Sequence, residues 1–375
     1  MRILHVVTLV SPDGEYGGPT RVCLSQTAAL QEMGHDVDLL ATYRGWQSPP
    51  EEFGGVSAML FLSRRALWSS RFSAIFSMAS MLWMLRRYKD YDVVHLHFAR
   101  DIFSLSVGAL LSALHPRFVV QCHGMVIQKT SKLARLLDAV ITRRVLRAAS
   151  AILCLNESEA HSVAAVAKCE AGSKIVILGN GVIAPRDLAT AAPAAARMEV
   201  LFVSRLHPRK RPLTFVEMAV LLLDEGLDAD FVLIGPDEGE AASVEKRIRS
   251  TKYSDSIRWV GPVPPEMIQA RMASADVYVL TAIDEPFGMT LIEAMSVGVP
   301  VVATSSGGLA ASIREYGAGL VVEDSAASLS EAVRQLCRDP DLRRRCGEGG
   351  LRAVKETHSI ADVCRKLVAI YASVW

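Results

Sequence analysis

The 375-residue chain is half hydrophobic and about a fifth charged, with a formal net charge of +1. That length suits two domains better than one, since single cores seldom grow beyond about 250–300 residues. The near-neutral balance gives no global electrostatic case for nucleic acid, and seven scattered cysteines without a C-x-x-C pair argue against a disulfide framework or zinc site.

The first element, MRILHVVTLV, reads as a buried strand; its apolar run is too short for a signal peptide. The loop SPDGEYGGPTRV follows, where Gly17 and Gly18 let backbone approach a ligand and Pro19-Thr20 can start a helix. Asp36 and Asp38 form a D-x-D at the beginning of the strand DVDLLAT, away from its carboxyl end, and are read as structural. Residues 63–90 are dense in Phe, Met, Leu and Trp between basic flanks, which suits an interfacial helix. In DVVHLHF, His95 and His97 share one face of a strand, and no third metal ligand is evident. His123 ends the strand FVVQC beside Gly124, where it can face a cleft as a hydrogen-bond donor to sugar or phosphate. A basic helix over 129–147 precedes the strands AILCLN and KIVILGN. Across 63–147 there are 14 basic and 4 acidic residues, a balance that fits an anionic membrane surface.

An Ala/Pro-rich segment separates this half from a second one built alike. The divisions expected are 1–183, a linker 184–197, 198–357, and a C-terminal helix 358–375 packing back toward the first domain. In the second half VSRLHPRKRPL puts Arg205 directly after a strand and Lys210 five residues on, a pair able to neutralise a diphosphate. LIGPDEGE and VGPVPPEMI follow. Then DEPFGMTLIEAMSVG places Glu285 before a helix and Glu293 within it, eight residues apart. The helix N-terminus offers N–H groups and a positive dipole end to a phosphate, and Glu293 enters an otherwise apolar helix where a carboxylate needs partners. Strands alternating with helices throughout predict two α/β domains, each a parallel sheet covered on both faces. Neither G-x-G-x-x-G nor G-x-x-x-x-G-K-[ST] occurs, which counts against dinucleotide-dependent dehydrogenases and P-loop NTPases.

Taken in order, the GGP loop at 17–19, His123-Gly124, NGV at 180–182, SRL with Lys210, LIGPDEGE, VGPVPPEMI, the E-x7-E element and Gly307-Gly308 resemble the family-four retaining glycosyltransferases. The resemblance implies the GT-B fold, two Rossmann-like domains facing a central cleft. It implies that Arg205 and Lys210 bind the donor diphosphate and stabilise the leaving nucleoside diphosphate. Glu293 would hold the ribose hydroxyls. Glu285, with the backbone N–H groups of Phe287, Gly288, Met289 and Thr290, would hold sugar hydroxyls and phosphate. Gly17 and Gly18 would close on the diphosphate, His123 would face the transferred sugar or acceptor, and Val260 and Pro262 would edge the nucleobase. Neither a cofactor nor a metal is required for front-face transfer with retention. One departure is Arg211, where many relatives carry glycine.

The activity expected is transfer of a hexose or N-acetylhexosamine from a UDP- or GDP-sugar to a glycan or lipid-linked acceptor, in cell-surface polysaccharide or glycolipid synthesis. A cytoplasmic location, peripheral on the membrane through 63–90 and 129–147, goes with it. The alternatives are a nucleotide-sugar epimerase of the same fold and a catalytically silent scaffold that binds a partner.

Overall fold

The structure is a computed structural model and describes residues 1–12, 17–65, 74–114, 117–128, 132–169, 174–184, 197–264 and 267–374. The chain divides into two compact units, Met1–Gly181 with Ile360–Trp375, and Val182–Ser359. Most of the segment expected as a linker, 185–196, lies outside the described residues.

The first unit contains strands β1 (Arg2–Val10), β2 (Asp36–Tyr43), β3 (Glu52–Phe53), β4 (Val56–Leu62), β5 (Arg64–Arg65), β6 (Ile75–Phe76), β7 (Val93–His97), β8 (Phe118–Gln121), β9 (Ala151–Cys154) and β10 (Ile175–Ile177). Its main sheet runs β10-β9-β8-β7-β1-β2-β4-β3. Every neighbour pair is parallel except β3–β4. Strands covered on both faces need apolar residues at odd and even positions alike. In β1, Leu4 and Val6 join the core that holds Phe98, Phe103 and Val120, while Ile3 joins another with Val93, Val119, Leu367 and Tyr371. The helix Ile360–Ser373 supplies part of that second core through Val363, Cys364, Leu367 and Tyr371.

The second unit contains β11 (Met198–Val203), β12 (Ala229–Ile234), β13 (Ile257–Trp259), β14 (Val277–Leu280), β15 (Val301–Thr304) and β16 (Gly319–Val322). Its sheet is all parallel in the order β13-β12-β11-β14-β15-β16. Counted from β11 this is 3-2-1-4-5-6, the doubly wound order, whose direction reverses between β11 and β14. Ligands of such sheets bind beyond the carboxyl ends of the strands at that reversal. The loops after β11 and β14 are the ones that carry Arg205, Lys210 and Glu285.

Residues 63–90 do not form one interfacial helix. Arg64–Arg65 pairs antiparallel with Ile75–Phe76, residues 66–73 lie outside the described residues, and the helix spans Met78–Arg87. Trp83 packs inward against Phe61 and Tyr91. Met78, Leu82 and Leu85 stay exposed at i, i+4 and i+7.

The basic helix is also differently employed. A π-turn, Asp138–Thr142, joins Lys132–Leu137 to Arg143–Ala148. There Arg143 donates to the Val166 carbonyl and Arg147 to those of Ala167 and Lys168. These carbonyls belong to the last turn and C-cap of the helix Glu157–Ala167, the groups a helix cannot satisfy internally. Lys129 lies outside the described residues. Among the described residues, no helix is long and apolar enough to cross a membrane.

Candidate active site

Lys210 and Glu285 meet at the reversal point of the second sheet. Lys210 Nζ donates to Glu285 Oε2 at 2.6 Å, and both side chains are only 12% exposed. Arg209 reaches the same carboxylate oxygen at 3.8 Å. Burial lowers the Lys210 pKa and Glu285 opposes that, while the neighbouring Arg209 and Arg205 charges add to the lowering. The loop is pinned from β14: Thr281 Oγ1 lies 2.7 Å from the Lys210 carbonyl and 2.9 Å from that of Arg211. Arg211 takes a left-handed φ of 53°. That conformation suits glycine best, so the departure at Arg211 holds a side chain in a backbone state that L residues rarely adopt.

Arg205 stands on the same loop, and Nη1 donates to both Glu238 oxygens, at 2.7 and 2.8 Å. Glu238 reaches it because the loops after β11 and β12 are tied, with Leu206 N on Pro236 O and Glu238 N on Leu206 O. Gly235 makes this approach possible. A Cβ there would stand 2.0 Å from the Ser204 carbonyl oxygen, and its φ is 144°.

The helix Met289–Ser296 begins at Gly288, whose φ is 89° and which offers no side-chain cap. The first-turn N–H groups of Met289 and Thr290 are thus set at the positive end of a helix dipole without a carboxylate or hydroxyl cap. Glu285 is held beside that terminus by Gly308, which donates its N–H to the Glu285 carbonyl at 2.8 Å. Asp284, at φ 48°, makes the turn and donates its N–H to Ser306 Oγ. The Phe287 ring is buried and packs edge-on against His358, so only its backbone is left for a ligand. Glu293 is 3% exposed. Its charge adds to the raising of the Tyr278 pKa, which burial dominates. The Tyr278 hydroxyl lies 2.6 Å from Thr290 Oγ1 and 3.1 Å from the Val203 carbonyl, joining both strands of the reversal point to the helix start. Val260 and Pro262 are exposed on the segment after β13, where Val260 N donates to Leu233 O and Gly261 O accepts from Gly235 N.

In the first unit, the helix Gly17–Glu32 starts directly at Gly17-Gly18, and nothing stands within 4 Å of a Cβ at Gly18. Residues 13–16 of that loop lie outside the described residues. His123 follows β8 at a left-handed φ of 52°. Glu159 fixes the turn by accepting from the N–H groups of Gly124 and Leu155. Behind His123 lies a buried row of rings unforeseen in the sequence. His123 Nε2 is 2.7 Å from His97 Nδ1, and His97 Nε2 is 3.0 Å from His5 Nδ1. Tyr371 Oη is 3.4 Å from His5 Nε2 and 2.6 Å from His95 Nδ1. His5 and His95 are register partners on adjacent parallel strands, which no local motif announces. Cys23 joins His5 and His97 in a group compact enough for a metal ion. Burial pushes its thiol up to about 12, however, and the two imidazoles already spend nitrogens on each other.

Two family models match the chain: a glycosyl transferase 4-like domain over residues 17–181 and glycosyl transferases group 1 over 192–352. Among curated relatives, the D-inositol 3-phosphate glycosyltransferase of Streptomyces avermitilis is 26% identical over 72% of this chain and 63% of its own length. A second, from Corynebacterium glutamicum, is 30% identical over 46% of this chain and 42% of its own. The first relatives are therefore matched over less than two thirds of their length. The 2-deoxystreptamine glucosyltransferase of Streptomyces kanamyceticus is 27% identical over 68% of this chain and 70% of its own.

Among solved structures, Anabaena Alr3699/HepE in complex with UDP superposes with a TM-score of 0.79 at 17% identity, covering both chains fully. Sucrose-phosphate synthase from Thermosynechococcus elongatus gives 0.78 at 18%, covering 100% of this chain and 99% of its own. The fold is GT-B. With one model on each unit, the chain belongs to the family-four type of glycosyltransferase.

Proposed function

We propose that the protein moves a hexosyl or N-acetylhexosaminyl group from a nucleoside diphosphate sugar to a hydroxylated acceptor with retention of configuration. The Lys210–Glu285 pair at the reversal point of the second sheet carries this reading. A diphosphate arriving there meets Lys210, Arg205 and the first-turn N–H groups of Met289 and Thr290. As the sugar–oxygen bond breaks, charge grows on the departing phosphate, and these fixed donors stabilise that charge without reorganising. Glu285, once Lys210 turns to the phosphate, is an acceptor for sugar hydroxyls, and Glu293 takes the ribose. The carboxylates position the donor and do not act as an acid/base pair. UDP is the first base to test, since Alr3699/HepE binds it; GDP is the second.

For the acceptor, a glycan or lipid-linked saccharide in cell-surface polysaccharide or glycolipid synthesis is the primary reading. A small cyclitol is the second, favoured by relatives that act on inositol phosphate and 2-deoxystreptamine. In the first unit, His123 and the Gly17-Gly18 loop stand at strand ends and are that unit's candidate ligand groups. Incubation with UDP- and GDP-sugars against both acceptor classes, with the product anomer read by NMR, tests the proposal. An α-linked product from an α-linked donor, formed equally in the presence of a chelator, is expected. An inverted product or strict metal dependence contradicts it.

A further inference from the structure

The buried row behind His123 has a direction, and that direction decides what His123 can offer a ligand. A neutral imidazole carries one N–H and one bare nitrogen. Burial lowers the pKa of His5, His95, His97 and His123, with the neighbouring imidazoles adding to this for His95 and His97, so the rings are neutral; for His95 a Gln121 bond acts weakly the other way. The protons can then be assigned from distances.

Hydroxyl donors give the shortest bonds, with a mode near 2.7–2.8 Å, whereas N–H donors to oxygen cluster about 2.9–3.0 Å. The 2.6 Å contact between Tyr371 Oη and His95 Nδ1 is therefore the one that receives the phenol proton. Having donated there, Tyr371 can only accept from His5, at 3.4 Å, so the His5 proton sits on Nε2. His5 Nδ1 is then bare and accepts from His97 Nε2–H at 3.0 Å. His97 Nδ1 is bare in turn and accepts from His123 Nε2–H at 2.7 Å. The end of the row is His123 with its proton turned inward and Nδ1 unprotonated.

We propose that Tyr371, through His5 and His97, holds His123 in the Nε2–H tautomer, so that Nδ1 meets the ligand as a hydrogen-bond acceptor. Tyr371, His5 and His97 are positioning residues. The consequence reverses the donor role expected for His123: a bare nitrogen accepts from a sugar or polyol hydroxyl, and it has no proton for a phosphate oxygen. This last step rests on the reading that His123 faces a ligand; the tautomer does not.

Histidine-selective 15N NMR of the full chain, with His123 assigned by its loss in His123→Gln, tests the tautomer without any ligand. His123 is expected to show a protonated Nε2 and an unprotonated Nδ1. Tyr371→Phe, and separately His97→Gln, should shift the His123 ring toward a mixture of tautomers. A wild-type His123 protonated at Nδ1 overturns the proposal, as does a His123 spectrum unmoved by both variants; the wild-type spectrum decides even where a variant fails to fold. The second arm is turnover: folded Tyr371→Phe should lose about tenfold in kcat, the value of one good hydrogen bond, with little change in donor KM. Turnover unmoved by Tyr371→Phe, with the tautomer as assigned, sinks the ligand-facing reading and leaves the relay standing.

Discussion

At the scale of single residues, the pairs that partner the two cations are the most informative feature. Lys210 is partnered by Glu285 and Arg205 by Glu238. Both cations are thus held in place, and on the proposed function each is shared with or released to the incoming diphosphate. The two pairs differ in depth. Arg205 is 42% exposed and Glu238 30%, so that pair is worth at most about 1 kcal/mol. Glu238→Gln should therefore leave the fold intact and tighten nucleoside diphosphate binding by up to about fivefold, as read by calorimetry. A weaker Kd would mean that Glu238 orients Arg205 for the ligand. Glu285 and Lys210 are coupled, so a double-mutant cycle on turnover should be far from additive. Additive losses in kcat/KM would place the two residues in separate tasks.

At the scale of elements, what positions the site is the close approach of the loops after β11 and β12. Gly235 lies against Ser204, next to Arg205, where no Cβ fits. Gly235→Ala should cost about 2–4 kcal/mol, seen as a lower unfolding midpoint, and should weaken donor binding with it. An unchanged midpoint would show that the loops separate freely. The helix Met78–Arg87 makes a different prediction. Met78, Leu82 and Leu85 form an exposed apolar stripe, and Arg86 and Arg87 close the helix. If this short face meets an anionic membrane surface, the protein co-sediments with anionic vesicles at low salt, and Leu82→Ser with Leu85→Ser abolishes it. No binding at low salt removes the membrane reading. The case is narrower than the sequence alone suggests, since Arg143 and Arg147 are engaged on helix-end carbonyls.

Elements and local motifs were legible because their signals are local. Apolar runs such as FVVQ and VVAT become strands buried on both sides, and Glu285 and Glu293 flank the start of one helix. Glu238, His5 and Tyr371 were not, because each depends on register or on a segment far along the chain. Tyr371 comes from a helix 366 residues beyond His5. The stretch 63–90 misled because its composition is helical throughout, while pairing of Ile75–Phe76 with Arg64–Arg65 breaks it.

At the scale of the whole molecule, the buried histidines bear on stability. Because the folded chain refuses protons that the unfolded chain binds below pH 6.5, the unfolded state carries more protons and stability rises with pH. The contribution is complete above pH 6.5 and is lost as pH falls toward about 3, where His5 and His123 take up protons in the fold. Asp101 and Glu159, whose carboxyls burial raises, act with the opposite sign at the acid end. Tyr371, Cys23 and Cys364 stay neutral beside the row, since burial raises all three. Urea midpoints between pH 6.5 and about 5 should therefore fall, and fall less steeply in His5→Gln; equal slopes would show that the ring is protonated in the fold.

The second unit places Arg205, Lys210 and Glu285 at the reversal point of its sheet, and the account stands on a nucleoside diphosphate binding there. The direct measurement is calorimetric titration of UDP, GDP and ADP into the wild type, Lys210→Ala and the exposed control Lys366→Ala. At least one nucleotide should bind the wild type and the control alike, and Lys210→Ala should weaken it about tenfold or more. Binding of equal strength to Lys210→Ala, or no binding of any of the three to the wild type, would contradict the account.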